Sequence, residues 1–351
     1  VTGVVMTGVT GTGMVVEAFA GPDAEWDAFV RAAPGWTPFH LTAWRDVMTR
    51  VFGHESVYLA ARQDGALVGV LPLIRVRGVF GHFLVSMPFV NYGGPLGDAR
   101  AVAALAAEAE RQARGDRAKL LELRSRAPLA IDLPVSTRKI TVVLDLPAGD
   151  APALWKRLDA KVRSQVRRPQ KDGVTVRFGA DQVAPFFSVF AHHMRDLGTP
   201  TQPRRLFEAI RASFGETVWF GCAYLNDEPI AGGCGFRWGN EFEMTWASAL
   251  TAHKKLSPNM LLYWAFMERA ATEGLTLFNF GRCSPGVGTH KFKRQWGSRD
   301  EQLHWYDWSP TAGTTTPSPD QGAYSWGPRM WKRLPVPLAT ALGPLIVRAI
   351  P

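Results

Sequence analysis

Leu158-Asp-Ala-Lys-Val-Arg-Ser-Gln-Val-Arg-Arg-Pro-Gln-Lys-Asp-Gly173 is the stretch from which the fold is read. Leu154, Leu158, Val162 and Val166 recur every four residues, which predicts a helix over 152–168 with one buried stripe, ended by Pro169. Lys161, Arg168 and Lys171 flank one side of that stripe, and Arg163 and Arg167 the other. A strand over 174–178 follows, so the helix leads into a sheet. Downstream, helices are expected at 183–196 and 204–214. A hairpin of 218–225 and 229–238 turns through Asn226-Asp227, and a strand spans 241–248. Ser257 reads as an N-cap and Pro258 as the first residue of a helix to Glu273, before strands at 275–280 and 302–308. A strand at 139–146 comes first in this series.

The same order occurs once already upstream. Helices are expected at 22–33 and 40–52, then strands at 56–62 and 66–77 joined by Asp64-Gly65, a strong hairpin signal. A strand near 83–87, a helix at 101–114 and a strand at 119–124 complete it. The expectation is an α/β chain (α+β, mixed sheets) of two similar domains, residues 14–134 and 135–309. Residues 1–13 are expected to be a disordered N-terminal segment, with Met6 or Met14 as alternative starts. Residues 310–351 are expected to be a linker and an apolar C-terminal tail.

Composition narrows the class. Of 351 residues, 46% are hydrophobic and 20% charged, which excludes a mostly disordered chain. The cysteines, Cys222, Cys234 and Cys283, have no CxxC spacing. That argues against a disulfide framework and a structural zinc, and for a reducing, cytoplasmic setting; no metal site is expected. The N-terminus lacks the features of a secretory signal, and no apolar run is long enough to span a bilayer. The tail from Trp331 is apolar but broken by Pro335, Pro337 and Pro344. It reads either as a segment packed on the domain or as a peripheral membrane contact with Arg329, Lys332 and Arg333 near headgroups.

The net charge of +9 suggests an anionic partner: nucleic acid, phosphate or an acidic membrane surface. It is concentrated in two places. Residues 156–177 hold eight basic residues against two acids, and 282–299 hold five against none. The first group is either a solvated helix face or a phosphate-binding one. The second is Phe280-Gly-Arg-Cys-Ser-Pro-Gly-Val-Gly-Thr-His-Lys-Phe-Lys-Arg-Gln-Trp-Gly297, a Gly-rich turn at a strand end where an anion could be met. If this segment is extended, Lys291 and Lys293 share one face.

Nucleotide, serine-hydrolase and metalloprotease motifs are absent. His192-His193 lies on an expected helix, so one of the two must point away from the core, and it reads as a lone surface histidine rather than a general base. Glu243 reads either as an exposed strand residue or as a carboxylate at a cleft. Asn91-Tyr92-Gly93-Gly94-Pro95 reads as a tight turn, or as a loop offering a Tyr hydroxyl at its tip.

The basic helix resembles the Lys-x-Arg-x-x-Ile-Arg-x-x-x-Lys-x-Gly signature of FemAB-like proteins. Met194-Arg-Asp-Leu-Gly-Thr-Pro200, Trp246-Ala-Ser248, Ser257-Pro-Asn-Met-Leu-Leu-Tyr-Trp264, Phe278-Asn-Phe-Gly-Arg282 and Phe292-Lys-Arg-Gln-Trp-Gly297 resemble the branch associated with PEP-CTERM/exosortase and exopolysaccharide loci. The resemblance runs from Trp26 to Trp308. It implies two tandem GNAT (N-acetyltransferase) domains that transfer an acyl or aminoacyl group from acyl-CoA or aminoacyl-tRNA. No permanently bound cofactor is implied. Lys161, Arg163 and Arg167 would hold substrate phosphates, and Asn91, Tyr92 and Asp98 would line the acceptor cleft. Lys293 would stabilise charge on the transferring carbonyl, with Tyr263 and Arg282 near it. Trp246, Ser248 and Asn259 stand in the matching motifs as expected substrate contacts, alongside Lys291. Asn279 stands where this branch would carry Asp, and the helical-hairpin insertion of some tRNA-using relatives is missing.

The expected reaction is attack of an acceptor amine on an activated carbonyl, with Lys293 or backbone N–H groups on the oxyanion. Glu243, a water chain or a substrate carboxylate would take the amine proton. The expected acceptor is a phosphate-bearing glycan or lipid-linked envelope or exopolysaccharide precursor, with tRNA as a further partner. The competing expectation is a non-catalytic module that binds such a precursor. Nucleic-acid binding as the main role fits less well, because no repeated aromatic platform accompanies the charge.

Overall fold

The computed structural model describes residues 8–9, 13–311 and 326–351. Most of the segment expected to be disordered and most of the Ser/Thr/Pro/Gly-rich linker lie outside the described residues. The chain forms two compact units. One takes the described residues of 1–139, 302–317 and 348–351, the other those of 140–301 and 318–347.

In the first unit, β1 (Gly8–Val9) and β2 (Met14–Ala18) pair antiparallel, so part of the expected disordered segment is strand. Then come α1 (Asp23–Ala32), α2 (Thr42–Phe52), β3 (Glu55–Gln63), β4 (Ala66–Gly78) and β5 (Gly81–Val85). The β3–β4 hairpin turns through Asp64-Gly65 with φ of 51° and 83°, the left-handed pair that a two-residue turn needs. After β6 (Leu96–Gly97), α3 (Ala99–Gly115) leads to β7 (Leu120–Ser125) and β8 (Val135–Ser136). Asp98 caps α3 by accepting from Ala101 N–H at 2.8 Å. Ala101, Leu105, Ala109 and Ala113 form its buried stripe against Leu59, Leu71, Leu73, Leu121 and Leu123.

The sheet order is β1-β2-β3-β4-β5-β7, then the late strand His304–Trp308, then β8. The segment 302–309, expected in the second domain, therefore completes the first sheet. Tyr306 registers with Leu123 on one side and Val135 on the other. The reason is edge satisfaction: the strand closes the open backbone edge of β7 and buries Tyr306 in the first core.

The second unit opens with β9 (Ile140–Asp145), α4 (Ala151–Arg157) and α5 (Ala160–Lys171). The single helix expected over 152–168 is two, because Leu158 is extended (φ −69°, ψ 143°). Pro169 does not end α5. It lies in the last turn, where a missing N–H removes one bond, and the chain reverses at Gly173 with φ 83°. The four-residue stripe survives the break, with Leu154, Leu158, Val162 and Val166 all in the core.

Then follow β10 (Thr175–Phe178), α6 (Val183–Leu197), α7 (Arg204–Phe214), β11 (Val218–Leu225), β12 (Glu228–Trp238), β13 (Glu241–Ala249) and α8 (Pro258–Thr272). Ser257 occupies the expected N-cap position of α8 in a left-handed conformation, without a side-chain cap bond. β14 (Leu277–Cys283), α9 (Gly288–Arg294) and β15 (Arg299–Gln302) complete the sheet, β16 is the strand His304–Trp308, and α10 (Trp326–Trp331) and α11 (Val336–Val347) form the tail. The tail prolines do not prevent a helix. Pro337 sits in the first turn of α11, where an N–H has no partner anyway, and Pro344 lies inside it. The second sheet runs β10-β11-β12-β13-β14-β9-β15. Its core centres on the fully buried Phe242, Phe266 and Phe278.

Candidate functional site

Each sheet contains a parallel pair whose strands part, and this is where polar groups gather. In the second unit, β13 and β14 pair over Glu241↔Leu277, Phe242↔Phe278 and Glu243↔Asn279. Beyond that, β13 stays with β12 to Ala249, while β14 stays with β9. Successive strand side chains alternate, so Glu241 and Glu243 share one face and the core residue Phe242 points to the other.

At the parting point β14 bulges between Asn279 and Arg282. Asn279 holds the bulge open. Its Oδ1 accepts from Gly281 N–H at 2.8 Å and from Thr141 Oγ1 at 2.6 Å, while its Nδ2 donates to Glu241 Oε1 at 2.8 Å. Gly281 takes φ 72°, a left-handed value that suits glycine. The bulge turns two carbonyls towards α9, and Lys293 Nζ donates to both, to Gly281 O at 2.7 Å and Arg282 O at 3.0 Å. An ammonium has three N–H donors, so one is left for a further acceptor.

Lys293 is 7% exposed. Burial lowers its pKa to about 8, against the opposing pull of Cys283 and Glu243 and with a further push from the Arg282 charge. A lysine poised there changes charge near neutrality, unlike a surface one. Glu243 is fully buried, so the exposed-strand reading of that residue does not hold. α9 is helical, so Lys291 and Lys293 do not share a face. At 100° per residue they diverge, and Lys291 is exposed while Lys293 is buried.

The other expected site residues are sorted by their surroundings. Tyr263 packs against Phe280 and Phe292, with ring centroids at 5.7 and 5.0 Å, and burial pushes its hydroxyl pKa up. It supports α9 from beneath through Phe292. Trp246 lies edge-on to Phe207 at 5.4 Å, Ser248 is buried two residues along β13, and Asn259 stands partly buried in the first turn of α8. Arg282 carries its side chain outward while its carbonyl serves Lys293.

On the basic helix, Arg163 donates back to Lys156 O and Leu158 O, which ties the α4–α5 break. Arg167 lies over the Trp155 ring at 5.2 Å. Lys156, Arg157, Lys161, Arg167, Arg168 and Lys171 are all exposed, and none has a carboxylate partner among the described residues. Most arginines elsewhere are paired, as Arg62 is to Glu17 and Glu25, or Arg75 to Glu55 and Asp116.

Asn91, Tyr92 and Asp98 belong to the first unit. Tyr92 is not at a loop tip. It is 1% exposed and packs against Phe39 at 6.3 Å. Asn91 is also buried, and Asp98 is the cap of α3.

Sequence reading missed Thr141, Glu241 and the Gly281 carbonyl. Glu241 was within reach, since it lies two residues before Glu243 on one strand. Thr141 was not, because only the β9–β14 pairing brings it to Asn279. A cavity of about 540 Å³ opens between α5, β10 and α8, lined by Val176, Phe178, Trp264 and Glu268 among others. None of the expected site residues lines it. Among the described residues no three His, Cys, Asp or Glu side chains cluster as a metal site, and no helix is long and apolar enough to cross a membrane.

Residues 156–294 match a family described as acetyltransferase (GNAT) domain. No curated protein matches the sequence. Among solved structures, FemX shares the fold with a TM-score of 0.63 at 15% identity, over 84% of this chain and 97% of that one. A tandem GNAT protein from the clavulanic acid biosynthesis pathway matches with a TM-score of 0.53 at 13% identity, over 86% of this chain and 100% of its own. L-PGS from Bacillus licheniformis matches with a TM-score of 0.53 at 11% identity, over 94% and 97%. The parting strands with Lys293 beside them thus lie within residues 156–294, the stretch that matches an acetyltransferase (GNAT) domain, in a chain that shares its fold with FemX and a tandem GNAT protein.

Proposed function

We propose that the second unit transfers an acyl or aminoacyl group from an activated donor, acyl-CoA or aminoacyl-tRNA, to an amine on a cell-envelope or exopolysaccharide precursor. The observation that carries this reading is Lys293. It is a buried ammonium seated on two backbone carbonyls at the mouth of parting strands, with a carboxylate, Glu243, buried in the same layer.

The acceptor amine attacks the donor carbonyl, and negative charge develops on its oxygen. The remaining Lys293 N–H donates to that oxygen, inside a water-poor site where the interaction is strong. As the C–N bond forms, the amine proton passes to Glu243, directly or through water; the C–S or C–O bond then breaks, and that proton returns to the leaving sulfur or ribose oxygen, which departs as thiol or hydroxyl. No enzyme nucleophile is required. The unpaired cations Lys161, Arg167 and Arg168 suit the phosphates of the donor or of a phosphate-linked acceptor. The resemblance of the basic helix and the motifs after it to FemAB-like proteins supports aminoacyl transfer within this class, and FemX and L-PGS share the fold.

The test is two-sided. Envelope glycans and precursors from cells with and without the gene are compared by mass spectrometry, and the expected result is one acyl or aminoacyl mass missing after deletion. Purified protein is then offered labelled acyl-CoA and aminoacyl-tRNA with that acceptor. Transfer from neither, with the precursor still bound, overturns the reading in favour of a binding module.

A further inference from the structure

The tail is held by one face and open on the other. In α11, Ala339, Gly343 and Val347 form the inward stripe. Gly343 approaches so closely that a Cβ there would meet the Thr201 backbone at 2.7 Å. Arg195 Nη1 donates to Leu334 O at 3.0 Å, which fixes the start of the helix to α6. The opposite face carries Leu338, Leu342 and Leu345, at 45%, 39% and 65% exposure. The spacing i, i+4, i+7 puts them on one side. Pro337 and Ala341, also exposed, widen that apolar strip.

Charge selects the occupant. Residues 326–351 contain Arg329, Lys332, Arg333 and Arg348 and no acid. Arg329, Lys332 and Arg333 are exposed immediately before the apolar helix, and Met330 beside them is 61% exposed. A second copy seated on this face through the same segment would offer those cations no acid, because a two-fold contact uses the same patch on both copies. An anionic lipid surface instead takes leucines into its acyl boundary and cations among its phosphates. At about 18 Å for twelve residues, α11 is too short to span and long enough to lie in the interface.

We infer that the outward face of α11, with Arg329, Lys332 and Arg333, docks the protein peripherally on an anionic phospholipid surface. The docking is independent of which group the second unit transfers.

The test uses the full chain and phosphatidylcholine vesicles with and without phosphatidylglycerol. Co-sedimentation is expected only with the anionic vesicles, and it weakens as salt is raised. The triple variant Leu338→Gln, Leu342→Gln, Leu345→Gln lowers partitioning about tenfold or more. Arg329→Gln, Lys332→Gln and Arg333→Gln lower it roughly fivefold each at low salt. Leu342→Cys carrying an environment-sensitive dye shifts to the blue on the same vesicles. Three results overturn the inference: no vesicle binding by the native chain, binding that survives the leucine variant but not Lys161→Gln/Arg167→Gln/Arg168→Gln, or a dimer that the leucine variant dissolves without any vesicle binding.

Discussion

The two parallel strand pairs begin alike and end differently. β5 and β7 pair over Phe83↔Leu120, Leu84↔Leu121 and Val85↔Glu122, as many residue pairs as β13 and β14 make. In the first unit the chain then folds back over the edge of β7. Ser86 N–H donates to Glu122 O at 2.9 Å, and Gly94 N–H to Arg124 O at 2.8 Å. Arg124 stitches this segment down, donating to Val90 O at 2.9 Å, Met87 O at 3.2 Å and Glu122 Oε1 at 2.7 Å. Met87 and Phe89 hold positive φ values of 62° and 70°, strain that the packing maintains. In the second unit β13 and β14 diverge, and the polar groups there are aimed at a lysine. The same architecture is filled with its own backbone in one unit. In the other it is lined with titratable groups. A cation that satisfies internal carbonyls on every side is structural, and one that keeps a donor in reserve is available for chemistry.

The largest expected effect tests the structural side. Arg124→Leu leaves Glu122 buried without its ion pair, at 3% exposure, and frees the Met87 and Val90 carbonyls. It should destabilise the first unit by about 3–5 kcal/mol in urea unfolding while changing kcat by less than about twofold. A large loss of kcat with unchanged stability would erase the distinction between the units.

Lys293→Met is the converse. Turnover should fall about 10²–10³-fold, or about 2.7–4 kcal/mol in the barrier, while the unfolding midpoint changes little, since relief of a buried ammonium offsets the loss of its bonds to the Gly281 and Arg282 carbonyls. Undiminished turnover would sink the assignment of Lys293.

Asn279→Leu should act through the lysine. It removes the bond that shapes Gly281 and leaves Thr141 and Glu241 short of a partner. About 3 kcal/mol of stability should be lost, and kcat should drop roughly tenfold with KM little changed. A purely structural role predicts loss of stability without that split.

The smallest effect is a difference of sign with pH. Burial, reinforced by Glu122, raises Asp307 in the first unit to about 7 from 3.8. The folded chain then binds more protons there between about pH 4 and 7, so stability falls as pH rises through that window. Lys293 lies below its ordinary 10.5, at about 8. The unfolded chain binds more protons between about pH 8 and 10.5, so stability rises with pH there. Melting curves of Asp307→Asn and Lys293→Met against the native chain should each flatten one window only. Because the cation serves the oxyanion, kcat should also fall as pH passes about 8.

Much of the fold was legible. Asp64-Gly65 and Asn226-Asp227 marked their hairpins because two successive left-handed residues are stable only with such side chains. The apolar stripe from Leu154 to Val166 survived even where its helix broke. The site was legible only as residue types. Lys293 and Glu243 were named, but an extended reading put Lys291 beside Lys293, since periodicity over so short a segment does not separate strand from helix. Tyr92 sat in a Gly-rich turn, and such turns are usually at the surface; this one is folded inward against β7.

By itself the sequence determined what neighbouring residues decide: periodicity, turns, capping and the two clusters of positive charge. Steric limits on φ and ψ and the alternation of side chains act over a few residues, so they are written locally. Only the tertiary structure decided that His304–Trp308 enters the first sheet, that Thr141 meets Asn279, and that one pair of parting strands is plugged while the other cradles a lysine. Those outcomes depend on which backbone edge pairs with which across long separations, and on how much water burial removes from each charge. Neither is a property of any short stretch of chain.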